Sequence, residues 1–122
     1  MSVQRIDRKS VKKILDGKVK DEYSVVIKFY SSTCGYCHNL APFYTRLAET
    51  YDDVYFYAFN MEDGDGLEDK YRFEGVPTIC HVKTRGRATK INFVPEPEDP
   101  SGGDDGTWYH PQELIKFIEQ HK

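Results

Sequence analysis

Two cysteines at C-x-x-C spacing, Cys34 and Cys37 in the stretch SSTCGYCHNL, concentrate the chemistry of this chain. Such a pair can cycle between dithiol and disulfide, supply half of a zinc site or, read with His38 as C-x-x-C-H, attach a c-type haem. Zinc needs four ligands, normally in two spaced pairs. The other candidates, Cys80 and His81, are adjacent in a predicted strand and so point to opposite faces. For haem, the chain is strand-rich and offers only Met1 and Met61 as methionine ligands. The redox dithiol is the reading that remains, with no metal and no cofactor expected. His38 is then a solvated helix residue after the second cysteine.

The elements around the pair support that chemistry. YSVVIKFYS (Tyr23 to Ser31) is an apolar, β-branched run, hence a buried strand, and it leads directly into Cys34. After the pair, Leu40, Phe43, Tyr44, Leu47, Ala48 and Tyr51 recur at helical spacing, with Pro42 early in the pattern. A strand running into C-x-x-C and then a helix brings both sulfurs to the first helical turn, close to disulfide distance. Cys34 faces the unpaired N–H groups and the positive end of the helix dipole, and both favour thiolate. Gly35 leaves its sulfur unobstructed. Cys34 is therefore the expected attacking thiol and Cys37 the resolving one.

The remaining segments alternate. Asp7 can cap a first helix that buries Val11, Ile14 and Leu15 and ends at Gly17, with a short leading strand at Val3 to Ile6. Val54 to Asn60 is apolar on both faces, as a covered strand should be. MEDGDG reads as a turn, and a short helical segment follows it. EGVPTICHVK and ATKINFV form a hairpin about TRGR, and Pro111 opens a last helix with Leu114, Ile115, Phe117 and Ile118 apolar. The order α-β-α-β-α-β-β-α implies an α/β fold, a central mixed sheet with helices on both faces.

At 122 residues, 39% hydrophobic and 30% charged, the chain is expected to be one domain over residues 1–122. A net charge of −3 without a basic, aromatic-interleaved cluster gives no reason to expect nucleic acid. The charged start MSVQRIDRKS lacks the apolar core of a signal peptide, and no apolar run approaches a membrane span. A cytoplasmic monomer is expected, and three cysteines in a reducing compartment are not a structural disulfide framework.

FYSSTCGYCHNLAPFY resembles the active-site segment of the thioredoxin and protein disulfide isomerase family, roughly F-[YW]-A-x-W-C-G-x-C-K-x-x-x-P. Phe29, Tyr30, Cys34, Gly35, Cys37 and Pro42 match, Pro42 standing at the family's helix-kinking proline. KYRFEGVPT resembles a second family segment, with Lys70, Tyr71, Gly75, Val76, Pro77 and Thr78 in register. The resemblance implies the thioredoxin fold, a cis proline at Pro77 and a Val76–Pro77–Thr78 loop lying against the dithiol. Proline lacks an N–H, so the backbone of Val76 would be free to pair with an extended substrate. It implies a thiol:disulfide oxidoreductase that reduces protein disulfides through a mixed disulfide on Cys34, with a reductase or glutathione as electron donor. An oxidase or isomerase, or a structural subunit of a larger complex, is the alternative.

Several positions depart from the family. Thr33 stands where a tryptophan usually precedes the first cysteine, and Tyr36 sits between the cysteines, where thioredoxins have proline and isomerases histidine. Lys28 occupies the strand position of a buried acid, on the face of Tyr30, and Ala58 that of the lysine pairing with it. The loop 95–106 is rich in Pro, Gly and acid (Glu96, Glu98, Asp99, Asp104, Asp105) and is expected at the active-site rim. Trp108, just beyond it, is expected either near the dithiol, by the same reasoning, or packed into the core.

Overall fold

The computed structural model describes residues 2–63, 67–71, 75–97 and 106–122. Its elements follow the order read from the periodicity. Strand β1 (Gln4–Arg5) leads to helix α1 (Arg8–Leu15), then β2 (Tyr23–Tyr30), α2 (Gly35–Thr50) and β3 (Tyr55–Asn60). A short α3 (Leu67–Tyr71), the hairpin β4 (Thr78–Thr84) and β5 (Lys90–Phe93), and α4 (Pro111–His121) complete it. The turn residues 64–66 of MEDGDG lie outside the described residues, as do 98–105 of the acidic loop.

The sheet order is β1-β3-β2-β4-β5. β1 and β2 run parallel to β3, and β4 runs antiparallel to both β2 and β5, so the sheet is mixed. β2, the middle strand, alternates its side chains between two cores. Val25, Ile27 and Phe29 pack with Val11 and Leu15 of α1 and Leu67 of α3. Val26 faces the other way, against Leu40, Tyr44, Leu47 of α2 and Leu114, Phe117 and Ile118 of α4. That parity places Lys28 and Tyr30 on the α2 side.

Local chemistry agrees with the packing. Asp7 caps α1, its carboxylate accepting the Ser10 N–H at 2.8 Å, and Gly17 ends the helix region at φ +73°, a conformation only glycine adopts freely. α2 crosses the sheet with Pro42 inside it, and Tyr44 anchors it by donating its buried hydroxyl to the carbonyls of Val26 and Tyr57 at 3.2 and 2.7 Å. β5 runs back toward the start of β4, where the Val94 N–H donates to Ile79 O at 2.9 Å. Both ends of the acidic loop thus lie at the edge where β2 enters α2.

Candidate functional site

β2 ends at Tyr30, and the chain turns through Ser31–Thr33 into α2. The turn is tied to the end of β3. The Ser32 N–H donates to Glu62 Oε1 at 3.2 Å, its hydroxyl to Glu62 Oε2 at 3.5 Å, and Asn60 Nδ2 donates to the Ser32 hydroxyl at 3.2 Å. From the helix side His38, exposed as expected, sets Nε2 2.9 Å from Ser32 O. Thr33 is exposed and shares a 3.5 Å hydroxyl contact with Ser31.

Cys34 is the residue that caps α2. Its Sγ accepts the Cys37 N–H at 3.1 Å, so sulfur takes the place of a capping oxygen on one of the orphan donors of the helix start. Cys34 and Cys37 are joined as a disulfide with Cα atoms 5.2 Å apart. The two differ in access: Cys34 is partly open, whereas Cys37 is 3% exposed and faces the interior. Gly35 has nothing within 4 Å of where a Cβ would stand, and Tyr36 beside it is 40% exposed.

The Val76–Pro77 bond is cis, and the Val76 carbonyl oxygen lies 3.9 Å from Cys34 Sγ. Thr78 closes this loop, its hydroxyl donating to Gly75 O at 2.8 Å where Gly75 takes φ +70°. Pro77 is buried, and its carbonyl accepts the Tyr109 hydroxyl at 3.3 Å.

Behind Cys37 lies a cavity of about 230 Å³, lined by Lys28, Tyr30, Cys37, His38, Tyr44 and Ala58 among others. Lys28 stands opposite Ala58 in the β2–β3 register and is 6% exposed. Its Nζ lies 4.8 Å from the Tyr44 ring centroid and 5.6 Å from that of Tyr30, so the ammonium rests on aromatic faces. Among the described residues no carboxylate forms a salt bridge with it. Burial draws the Lys28 amine down from its ordinary 10.5 to about 8.

Cys80 is fully buried on the α1 side, and burial pushes its thiol up to about 12. His81, on the opposite face, meets Ser24 Oγ at 2.6 Å. Among the described residues no cluster of His, Cys, Asp and Glu could hold a metal ion.

Trp108 packs edge-on against Tyr36 with ring centroids 5.2 Å apart. The pairing could not be read from periodicity, nor could Glu62, Asn60 and Tyr109 as supports of the site, because each contact spans a long sequence separation. Tyr109, within the run W-Y-H-P next to the acidic loop, carried a faint signal as an aromatic outside any amphipathic pattern.

A family model described as Thioredoxin matches residues 8–97. Protein disulfide-isomerase A4 of Mus musculus is 31% identical over 115 residues, covering 91% of this chain and 16% of that protein. The chain therefore spans about a sixth of the length of that relative. Thioredoxin H4-2 of Oryza sativa is 28% identical over 92 residues, 75% of this chain and 66% of its own. The crystal structure of spinach chloroplast thioredoxin f (long form) superposes with a TM-score of 0.71 at 23% identity, covering 98% of this chain and 86% of that one. That likeness is one of fold.

The exposure and acidity of the three thiols predict their order of reaction. Brief alkylation of the reduced protein near neutral pH should label Cys34 first and leave Cys80 unmodified until the protein unfolds. Peptide mapping in which Cys80 leads would reverse the assignment of the nucleophile.

Lys28 predicts a pH dependence of stability. Between about 8 and 10.5 the unfolded chain keeps the Lys28 proton while the folded one has lost it, so burying the residue costs progressively less as pH rises through that window. Below pH 8 the full cost is present. Lys28→Met should therefore be more stable than wild type at about pH 7, with the advantage shrinking at about pH 10. Denaturant midpoints of both proteins at the two pH values measure this, and an advantage that grows with pH contradicts it.

Proposed function

The chain belongs to the thioredoxin family and carries its thiol–disulfide oxidoreductase site, and from that premise we propose that it reduces disulfides in protein substrates through Cys34 and Cys37. The observation that carries this reading is the position of Cys34: partly open, capping a helix N-terminus, and beside the Val76 carbonyl. The Cys34 thiolate attacks one sulfur of a substrate disulfide, and the other substrate sulfur leaves as thiolate. The Val76 backbone holds the substrate as an extended strand while the mixed disulfide persists, with Pro77 and Thr78 shaping the loop. Cys37 then loses its proton and attacks Cys34 Sγ. The substrate's second thiolate departs and the enzyme is left as its disulfide. A second dithiol, from a reductase, or glutathione returns the site to the reduced form.

We further infer one domain over residues 1–122, acting as a monomer in a reducing compartment such as the cytoplasm. No helix among the described residues is long and apolar enough to cross a membrane. Isomerase or oxidase chemistry is the second reading, favoured by Lys28. A positive charge in the cavity behind Cys37 stabilises thiolate and so makes the disulfide the stronger oxidant.

Two measurements test this. The protein should accelerate insulin reduction by dithiothreitol, and Cys34→Ser should remove the acceleration entirely; a fully active Cys34→Ser protein would refute the reading. For direction, equilibration against glutathione should give Lys28→Asp a lower potential than wild type. Each ~1.4 kcal/mol of thiolate destabilisation corresponds to about 30 mV. A mutant potential equal to or above wild type would remove Lys28 from control of the redox poise.

A further inference from the structure

Trp108 has φ +70°, and among the described residues it is the one non-glycine in the left-handed region. The Tyr109 N–H donates to Thr107 O at 2.9 Å across it, so Trp108 is the centre of a γ-turn of the positive-φ kind, which is strained and rare for a bulky side chain. The turn is held from every side. Asn39 Nδ2 of the active-site helix donates to Gly106 O at 3.0 Å, the Thr107 hydroxyl donates to Tyr109 O at 2.7 Å, and the Tyr109 hydroxyl reaches Pro77 O at 3.3 Å. Thr107 and Tyr109 are 4% and 3% exposed, while Trp108 between them stays partly open with its ring on Tyr36.

Strain of this kind persists only where surrounding contacts enforce it. The ring packs against the margin of the core that α2 and α4 form but stays partly open, and the buried anchors of the turn are Thr107 and Tyr109. What the turn achieves is to hold a large ring at the seam between the two segments a substrate must touch. One is the Cys34–Cys37 dipeptide, through Tyr36, and the other the Val76–Pro77 loop, through Tyr109. Tyr36 is 40% exposed and lies two residues from Cys34. Tryptophan and tyrosine there offer broad apolar contact at little conformational cost.

We propose that Trp108, backed by Tyr36, determines substrate specificity by selecting cysteines flanked by an aromatic or large aliphatic side chain. The partner is an extended protein segment with such a residue next to its reactive cysteine. An extended chain lying along Val76 alternates its side chains, so a neighbour of the cysteine can meet the Trp108–Tyr36 pair. The inference rests on Cys34 being the attacking thiol.

The test uses the full chain with Cys37→Ser, which traps the mixed disulfide, and two synthetic peptides whose single cysteine is activated as a 2-thiopyridyl disulfide. The peptides are identical except for tryptophan or serine beside the cysteine. The Cys34 thiolate displaces thiopyridone and forms the peptide disulfide, and the released chromophore gives the rate. The tryptophan peptide should react about three- to tenfold faster, the scale of one aromatic pair. Adding Trp108→Gly should bring the ratio of the two rates close to one, and Trp108→Phe should keep most of the preference. Glycine takes φ +70° without strain, which offsets part of the packing the ring gives up, so that variant should still fold. Trp108→Asn, also tolerant of this region, serves as a second ring-free protein. An unchanged ratio in either ring-free variant overturns the proposal. Reaction of neither peptide with Cys34 overturns the oxidoreductase reading itself.

Discussion

The hydrogen bond from the Cys37 N–H to Cys34 Sγ, 3.1 Å long, is the contact on which the site depends. A helix start leaves its first N–H groups without intrahelical partners, and here the reacting sulfur supplies one acceptor. A charged sulfur accepts such a bond more strongly than a neutral one. The helix therefore stabilises the thiolate by the same contact that caps it. For this to hold, Cys34 must arrive in one position, and two devices secure that. β2 is buried on both faces and cannot slip its register without reversing every side chain. The turn after it is fastened through Ser32 to Glu62 and His38.

The same alternation along β2 explains Lys28. Residues of one parity fill the core against α1 and α3, and residues of the other face α2. Lys28 falls in the second set, and its register partner Ala58 leaves room for a long side chain. The methylenes occupy the space and the ammonium finds the faces of Tyr44 and Tyr30, which recover part of the lost hydration. The recovery is incomplete, as the fall of the amine to about 8 shows. Cys80, on the opposite face, shows the reverse consequence of burial: its thiol is pushed up and held neutral.

Much of this architecture follows from local pattern. The strand before Cys34, the apolar spacing from Leu40 to Tyr51, the Asp7 cap and the Pro111 start each express a rule within a few residues, and the structure has each of them. Placing Lys28 behind Cys37 needed only strand parity and the family register. Contacts joining distant segments were another matter. Tyr36 with Trp108, Asn39 with Gly106, Ser32 with Glu62 and Tyr109 with Pro77 bring together residues whose own neighbourhoods are unremarkable. The left-handed turn at Trp108 was equally hidden, since tryptophan is among the last residues one would assign to it.

Relatives named as thioredoxins and as disulfide isomerases match this chain, so the shared features cannot be what distinguishes reduction from oxidation. Direction is set by whatever stabilises the dithiolate form differently from the disulfide. The helix terminus at Cys34 is common to any protein built this way. Lys28 is the variable charge on the Cys37 side, and among the described residues no acid lines its cavity to oppose it. A positive charge there lowers the free energy of the reduced, ionised site without touching the disulfide, and the equilibrium moves toward a more oxidising couple. Under the proposed reductase reading, net reduction would then require a donor pool poised well below that couple.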